Sequence, residues 1–110
     1  MQISSRHIDK ATIFDVAGDI DLANSPEVRK LLLREVRENR TPRVVMNLSK
    51  VRYIDSSGVA SLVEGLKASR DLGLRFILFG LSPSAREVLQ LTRLLKIFEV
   101  YDDEAQALGS

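Results

Sequence analysis

The sequence predicts an α/β fold: a layered mixed β-sheet of about four to five strands, with three main helices and a short C-terminal helix. Three observations carry that expectation. Two short apolar runs, residues 44–48 (Val-Val-Met-Asn-Leu) and 76–79 (Phe-Ile-Leu-Phe), read as strands buried on both faces. Stretches with apolar residues at helical spacing alternate with them. Twice a serine precedes a proline, at Ser25-Pro26 and Ser82-Pro83, and the pair marks a helix start: the serine caps, and a proline in the first helical position gives up no hydrogen bond.

In chain order, residues 2–8 and 11–16 are candidate strands joined by a tight turn at Asp9-Lys10, the first of them an edge strand. Gly18-Asp19-Ile20-Asp21 reads as a turn. Ser25 then caps a helix that runs through Asn39, with Val28, Leu31, Leu32 and Val36 on one face and Arg29, Lys30, Arg34, Glu35, Arg37 and Glu38 on the other. Thr41-Pro42 ends it, and residues 44–48 follow as a central strand. From Ser57 onward Val59, Leu62, Val63 and Leu66 mark a second helix, which stops near Gly73 in a left-handed C-terminal cap. After the 76–79 strand, a third helix begins at Ser82-Pro83 or, one step on, at the capping box Ser84-Ala85-Arg86-Glu87, and carries Ala85, Val88, Leu89 and Thr92. Residues 97–101 supply a last short strand. Asp102-Asp103-Glu104-Ala105 forms the acidic first turn of a small helix, and Gly109-Ser110 is a frayed tail.

At 110 residues the chain fits one domain with one core. Sixteen basic and fifteen acidic residues leave a net charge of +1 with neither sign in a long block, which speaks against a dedicated nucleic-acid binder. The lack of cysteine removes thiolate chemistry and suits a reducing compartment. No leader-like or bilayer-length apolar run occurs, so the expected setting is soluble and cytoplasmic, without membrane insertion.

Enzyme chemistry finds little support. A serine nucleophile needs a base, His7 is the only histidine, and it falls on a peripheral strand without a Gly-x-Ser-x-Gly elbow elsewhere. Asp19, Asp21 and Asp55 are the one tempting carboxylate set for a metal, yet acids are common in turns and at helix starts. Neither a P-loop nor a Gly-x-Gly-x-x-Gly fingerprint is present.

The stretch Tyr53-Ile54-Asp55-Ser56-Ser57-Gly58 remains. Asp55 explains itself as a helix cap and Gly58 as a point of close backbone approach, but a cap needs one oxygen and this stretch has three side chains that bear one. The stretch also follows a strand end, where an open α/β sheet displays functional groups. A helix start tolerates a phosphoserine, because its amides and partial positive charge favour an anion. A partner docked flush on that start would instead meet a desolvated double negative charge beside Asp55, which costs several kcal/mol.

The chain resembles the STAS domain, specifically the small anti-sigma factor antagonists (anti-anti-sigma factors) of bacteria. The resemblance runs from Gly18-Asp19-Ile20-Asp21 through residues 44–48 and Asp55-Ser56-Ser57-Gly58 to Leu81-Ser82-Pro83 and Leu95-Lys96-Ile97-Phe98. It implies a single STAS domain over residues 1–110 and a binding module, not an enzyme. Ser56 would be the phosphoacceptor of a serine kinase that doubles as the anti-sigma factor, and a protein phosphatase would reverse the step. Magnesium and ATP would belong to that kinase, so the chain needs no cofactor of its own. Asp55 would orient the hydroxyl and cap the helix, Ser57 would support the site as an amide and hydroxyl donor, and Gly58 would permit close approach. Asp21 is the next expected partner contact, and Val59 would complete the patch. Two other roles fit the same fold: an accessory STAS subunit of a lipid-transport ATPase complex, or a scaffold in a stress-sensing assembly.

Overall fold

The computed structural model describes residues 1–109. Among them five strands form one sheet in the order β1 (Gln2–Ile8), β2 (Ala11–Ile20), β3 (Arg43–Ile54), β4 (Arg75–Phe79) and β5 (Glu99–Tyr101). β1 runs antiparallel to β2 and lies at one edge, while every later neighbouring pair is parallel. The crossovers are α1 (Ser25–Arg37), α2 (Ser56–Asp71) and α3 (Pro83–Leu91), and α4 (Glu104–Gly109) follows β5.

Strand alternation divides the core in two. Phe14, Val44, Met46, Phe76 and Leu78 face the three crossover helices, which answer with Val28, Leu32, Leu62, Leu66 and Leu89. Ile13, Val45, Ile77 and Phe79 face the other way, against Ala107 of α4. β3 is therefore central and apolar on both faces over Val44, Val45 and Met46, as the continuous run predicts.

Local signals set most element ends. Asp9 takes φ 53° in the β1–β2 turn, a conformation aspartate tolerates better than most residues. α2 stops at a left-handed Gly73 (φ 70°), with the Leu74 amide donating to the Ser69 carbonyl (2.8 Å) and the Gly73 amide to that of Arg70 (3.1 Å), the Schellman arrangement. α3 starts at Ser82, whose hydroxyl accepts from the Ala85 amide at 3.2 Å, so the first of the two candidate starts is used. Thr92 caps its C-terminal end and does not join its apolar face.

Besides Thr92, and β5, which starts at Glu99 and not at residue 97 because Leu95–Ile97 form a 3-10 turn, four sequence expectations change from β2 to β3. β2 continues to Ile20: Gly18-Asp19-Ile20 is strand, not turn, and it pairs with the far half of β3 after register shifts that Gly18 accommodates at φ 93°. β3 correspondingly extends to Ile54. At α1 the cap position is Asn24, with no side-chain cap, because the Asn24 side chain is taken by the preceding loop; Ser25 is the first helical residue and is buried. The helix ends at Arg37, two residues short of Asn39.

Glu35 is the fourth correction, since the periodicity places it on the polar face and the structure buries it at 7 % exposure. Its carboxylate accepts from the hydroxyls of Thr12 (2.8 Å) and Thr41 and from the Asn39 side-chain amide (3.1 Å). Burial alone would push this carboxyl up; those donors outweigh it and hold it below the usual carboxylate range. The frayed-tail expectation is corrected at Gly109, which lies inside α4, and Ser110 lies outside the described residues.

Candidate functional site

The parallel strands β2 and β3 end side by side, Ile20 opposite Ile54, and the Asp55 amide donates to the Ile20 carbonyl at 3.1 Å. Two loops leave this end of the sheet. One leads to α1 through Asp21, Leu22, Ala23 and Asn24; the other is Asp55 alone, the extended cap of α2 (φ −100°, ψ −175°).

The Asp55 carboxylate collects four hydrogen bonds. Its Oδ1 accepts from the Ser57 amide (2.9 Å), the Ser57 hydroxyl (2.5 Å) and the Gly58 amide (3.0 Å). Its Oδ2 accepts from the Leu22 amide across the gap between the loops at 3.1 Å. The Ser57 hydroxyl and then the Gly58 amide hold the carboxyl below the usual carboxylate range, because each favours the charged form.

That network separates the two serines. Ser57 is half-buried and its hydroxyl is spent on Asp55. Ser56 is exposed, and among the described residues nothing hydrogen-bonds its hydroxyl. Of the two, Ser56 alone presents a free hydroxyl to an incoming surface.

Gly58 and Val59 lie elsewhere than a partner patch requires. A Cβ on Gly58 would stand 2.6 Å from the Ile20 carbonyl oxygen and 2.7 Å from the Ile54 side chain, so the close approach this glycine permits is to the chain's own β2. Val59 is 3 % exposed and belongs to the core, where the helical spacing of Val59, Leu62 and Leu66 also puts it. As a partner contact its side chain is unavailable.

Asp21 is half-buried, and its Oδ1 accepts from the amides of Ala23 (3.0 Å) and Asn24 (3.3 Å). The side chain that projects from this loop is instead Leu22, 76 % exposed. Sequence reasoning passed over it. Its one signal is an apolar residue between the loop's aspartate and asparagine. Asp19 is bound bidentately by Arg52 (2.9 and 2.8 Å), which lowers its pKa. Asp19, Asp21 and Asp55 are thus spent on three separate tasks, and they form no common metal site among the described residues. His7 lies beside Thr12 (3.0 Å) near the start of β2. Ser56 lies beyond the strand's other end, about 26 Å away at the usual rise per residue, too far for a catalytic base.

Among the described residues no helix is long and apolar enough to cross a membrane. The STAS-domain family model matches residues 2–107. An anti-sigma-B factor antagonist of Listeria monocytogenes is 32 % identical over 111 aligned positions, covering 100 % of this chain and 95 % of the relative. A solved Thermotoga maritima protein superposes with TM-score 0.90 at 24 % identity, covering 97 % of this chain and 92 % of the other. The Bacillus cell fate determinant SpoIIAA in its phosphorylated form superposes with TM-score 0.77 at 18 % identity, over 98 % and 97 % of the two chains. The chain belongs to the STAS-domain family and, within it, to the anti-sigma factor antagonists.

Proposed function

We propose that this chain is a cytoplasmic, phosphorylation-switched binding module. Unphosphorylated at Ser56, it binds an anti-sigma factor that is also a serine kinase, and a sigma factor is released. The kinase transfers phosphate from its own Mg-ATP to the Ser56 oxygen, the complex separates, and a protein phosphatase resets the chain. The observation that carries this reading is the contrast between two adjacent hydroxyls: Ser56 free and exposed, Ser57 locked on Asp55. That a relative of the same fold has been solved in a phosphorylated form supports it.

The start of α2 receives the phosphate without unfolding, since the helix end favours an anion. A docked partner does not, because the new charge adjoins Asp55 in a surface stripped of water. The test uses the serine kinase/anti-sigma factor encoded in the same genome, with Mg-ATP and intact-mass readout. Wild type should gain one phosphate, while Ser56→Ala should gain none and still bind. Ser56→Asp should bind at least about tenfold more weakly, roughly 1.4 kcal/mol, with little change in Tm. Full labelling of Ser56→Ala overturns the assignment.

A further inference from the structure

We propose that Leu22 is the anchor by which the kinase partner holds this chain, a rigidly presented leucine that fits an apolar recess beside the partner's phosphate-donating cleft. The inference rests on Ser56 as phosphoacceptor. Leu22 is 76 % exposed, on a loop whose polar side chains are turned onto its own backbone. The Asp21 amide donates to Asn24 Oδ1 (2.9 Å), the Asn24 side-chain amide donates to the Asp19 carbonyl (2.8 Å), and the Ser25 amide donates to the Asp21 carbonyl (2.8 Å). Asp21 itself accepts from two loop amides. These bonds hold the loop before any partner arrives, so docking the leucine costs little further ordering.

Position favours contact. The Leu22 amide hydrogen-bonds the carboxylate of Asp55, the residue immediately before Ser56. A protein interface of ordinary size covers about 800 Å² on each side, a disc of about 16 Å radius. A contact of that size centred on the Ser56 oxygen reaches the Leu22 loop, which is tied to the residue before Ser56. Polar contacts from this loop are scarce, so the partner gains most by taking up the leucine. Asp55 links the two events, because the carboxylate a new phosphate would repel is the one that holds the anchor's backbone.

Leu91 supplies the control. It is equally exposed at 76 %, but it closes α3, which runs back from the site toward the other end of the sheet. The experiment uses the full chain and the purified serine kinase/anti-sigma factor of the same genome. Initial rates of Ser56 phosphorylation give KM and kcat; calorimetry with Ser56→Ala and with Ser56→Ala combined with Leu22→Ala gives Kd. Leu22→Ala keeps the backbone amide, and the expected result is KM and Kd raised by about ten- to a hundredfold with kcat within twofold. Leu22→Met should recover most of the affinity, and Leu91→Ala should match wild type. Unchanged KM for Leu22→Ala, with wild type labelled on Ser56, overturns the anchor alone. A wild-type chain that the kinase neither binds nor labels overturns the Ser56 reading and the anchor with it.

Discussion

At the start of α2 the cap is Asp55 and the third helical residue is Gly58; at the start of α3 they are Ser82 and Ala85. In both, the cap side chain accepts from that third amide, at 3.0 and 3.2 Å. The likeness stops there. Ser82 is 8 % exposed and closes its helix with that single bond, followed by Pro83, which has no donor to offer. Asp55 takes four donors, one of them from another loop, and is followed by a free hydroxyl. Ala85 keeps its methyl fully buried, whereas Gly58 has no room for one. One start is a helix end and nothing more. The other is pressed against β2, tied to a neighbouring loop and left with a free hydroxyl, and the difference lies in what each is packed on.

The largest effect should come from giving α2 the residue that α3 has. In Gly58→Ala the new carbon meets a main-chain carbonyl at 2.6 Å, which cannot swing aside as a side chain would. Overpacking of this kind costs about 1–3 kcal/mol, and the better helix propensity of alanine returns about 1 at most. Because the obstacle is main chain, the upper end of that range applies, and a net loss of about 2 kcal/mol, a fall in Tm on the order of 10 °C, should appear in thermal unfolding. An unchanged Tm would show that β2 and α2 yield, and the contrast between the two starts would then be one of sequence only.

Asp55→Ala should follow, at about 1.5 kcal/mol at neutral pH, from loss of a cap and of the tie to the Leu22 amide. Its pH dependence sharpens the comparison. Hydrogen bonds to Asp55 lower its pKa in the folded chain below the unfolded value of about 3.9. The unfolded chain therefore binds the proton first as pH falls. The stabilisation is full above the unfolded pKa and is lost as pH drops through the folded one. The Tm gap between wild type and Asp55→Ala should hold from neutral pH to about pH 5 and narrow as pH falls below the unfolded pKa and through the folded one. A gap that stays constant to acid pH would mean that the carboxylate's charge contributes nothing.

Much of this was legible in the sequence, for physical reasons. Proline after serine, a glycine at a helix end and continuous apolar runs act locally, and they placed α2, α3, β4 and the core of β3. What escaped depends on contacts between distant segments. The extension of β2 through Gly18 requires the far half of β3 as a partner, and Asn24 displaced Ser25 as cap residue because Asp19 and Asp21 claim its side chain. Glu35 looks solvated on its own helix, and only Thr12 and Thr41 make it an interior residue. Val59 is a different case: its helical spacing already assigned it to the core, and a surface role contradicted that spacing. Leu22 gave almost no signal, since an apolar loop residue reads equally as buried or bare until the loop's hydrogen bonds are known.

The smallest of the three effects, in Ser82→Ala, tests whether the two starts are independent. One amide of α3 loses its acceptor, and a cap of this kind is worth about 1 kcal/mol. A serine hydroxyl does not titrate over the range in which a carboxylate does, so the loss measured by thermal unfolding should be flat between neutral and acid pH. Phosphorylation kinetics at Ser56 should also match wild type, because Ser82 makes no bond to the β2 or β3 ends or to the Leu22 loop. A loss that varied with pH, or a changed KM at Ser56, would show that α3 bears on the site through the sheet. The free hydroxyl of Ser56 would then owe its position to both helix starts, and not to Asp55 alone.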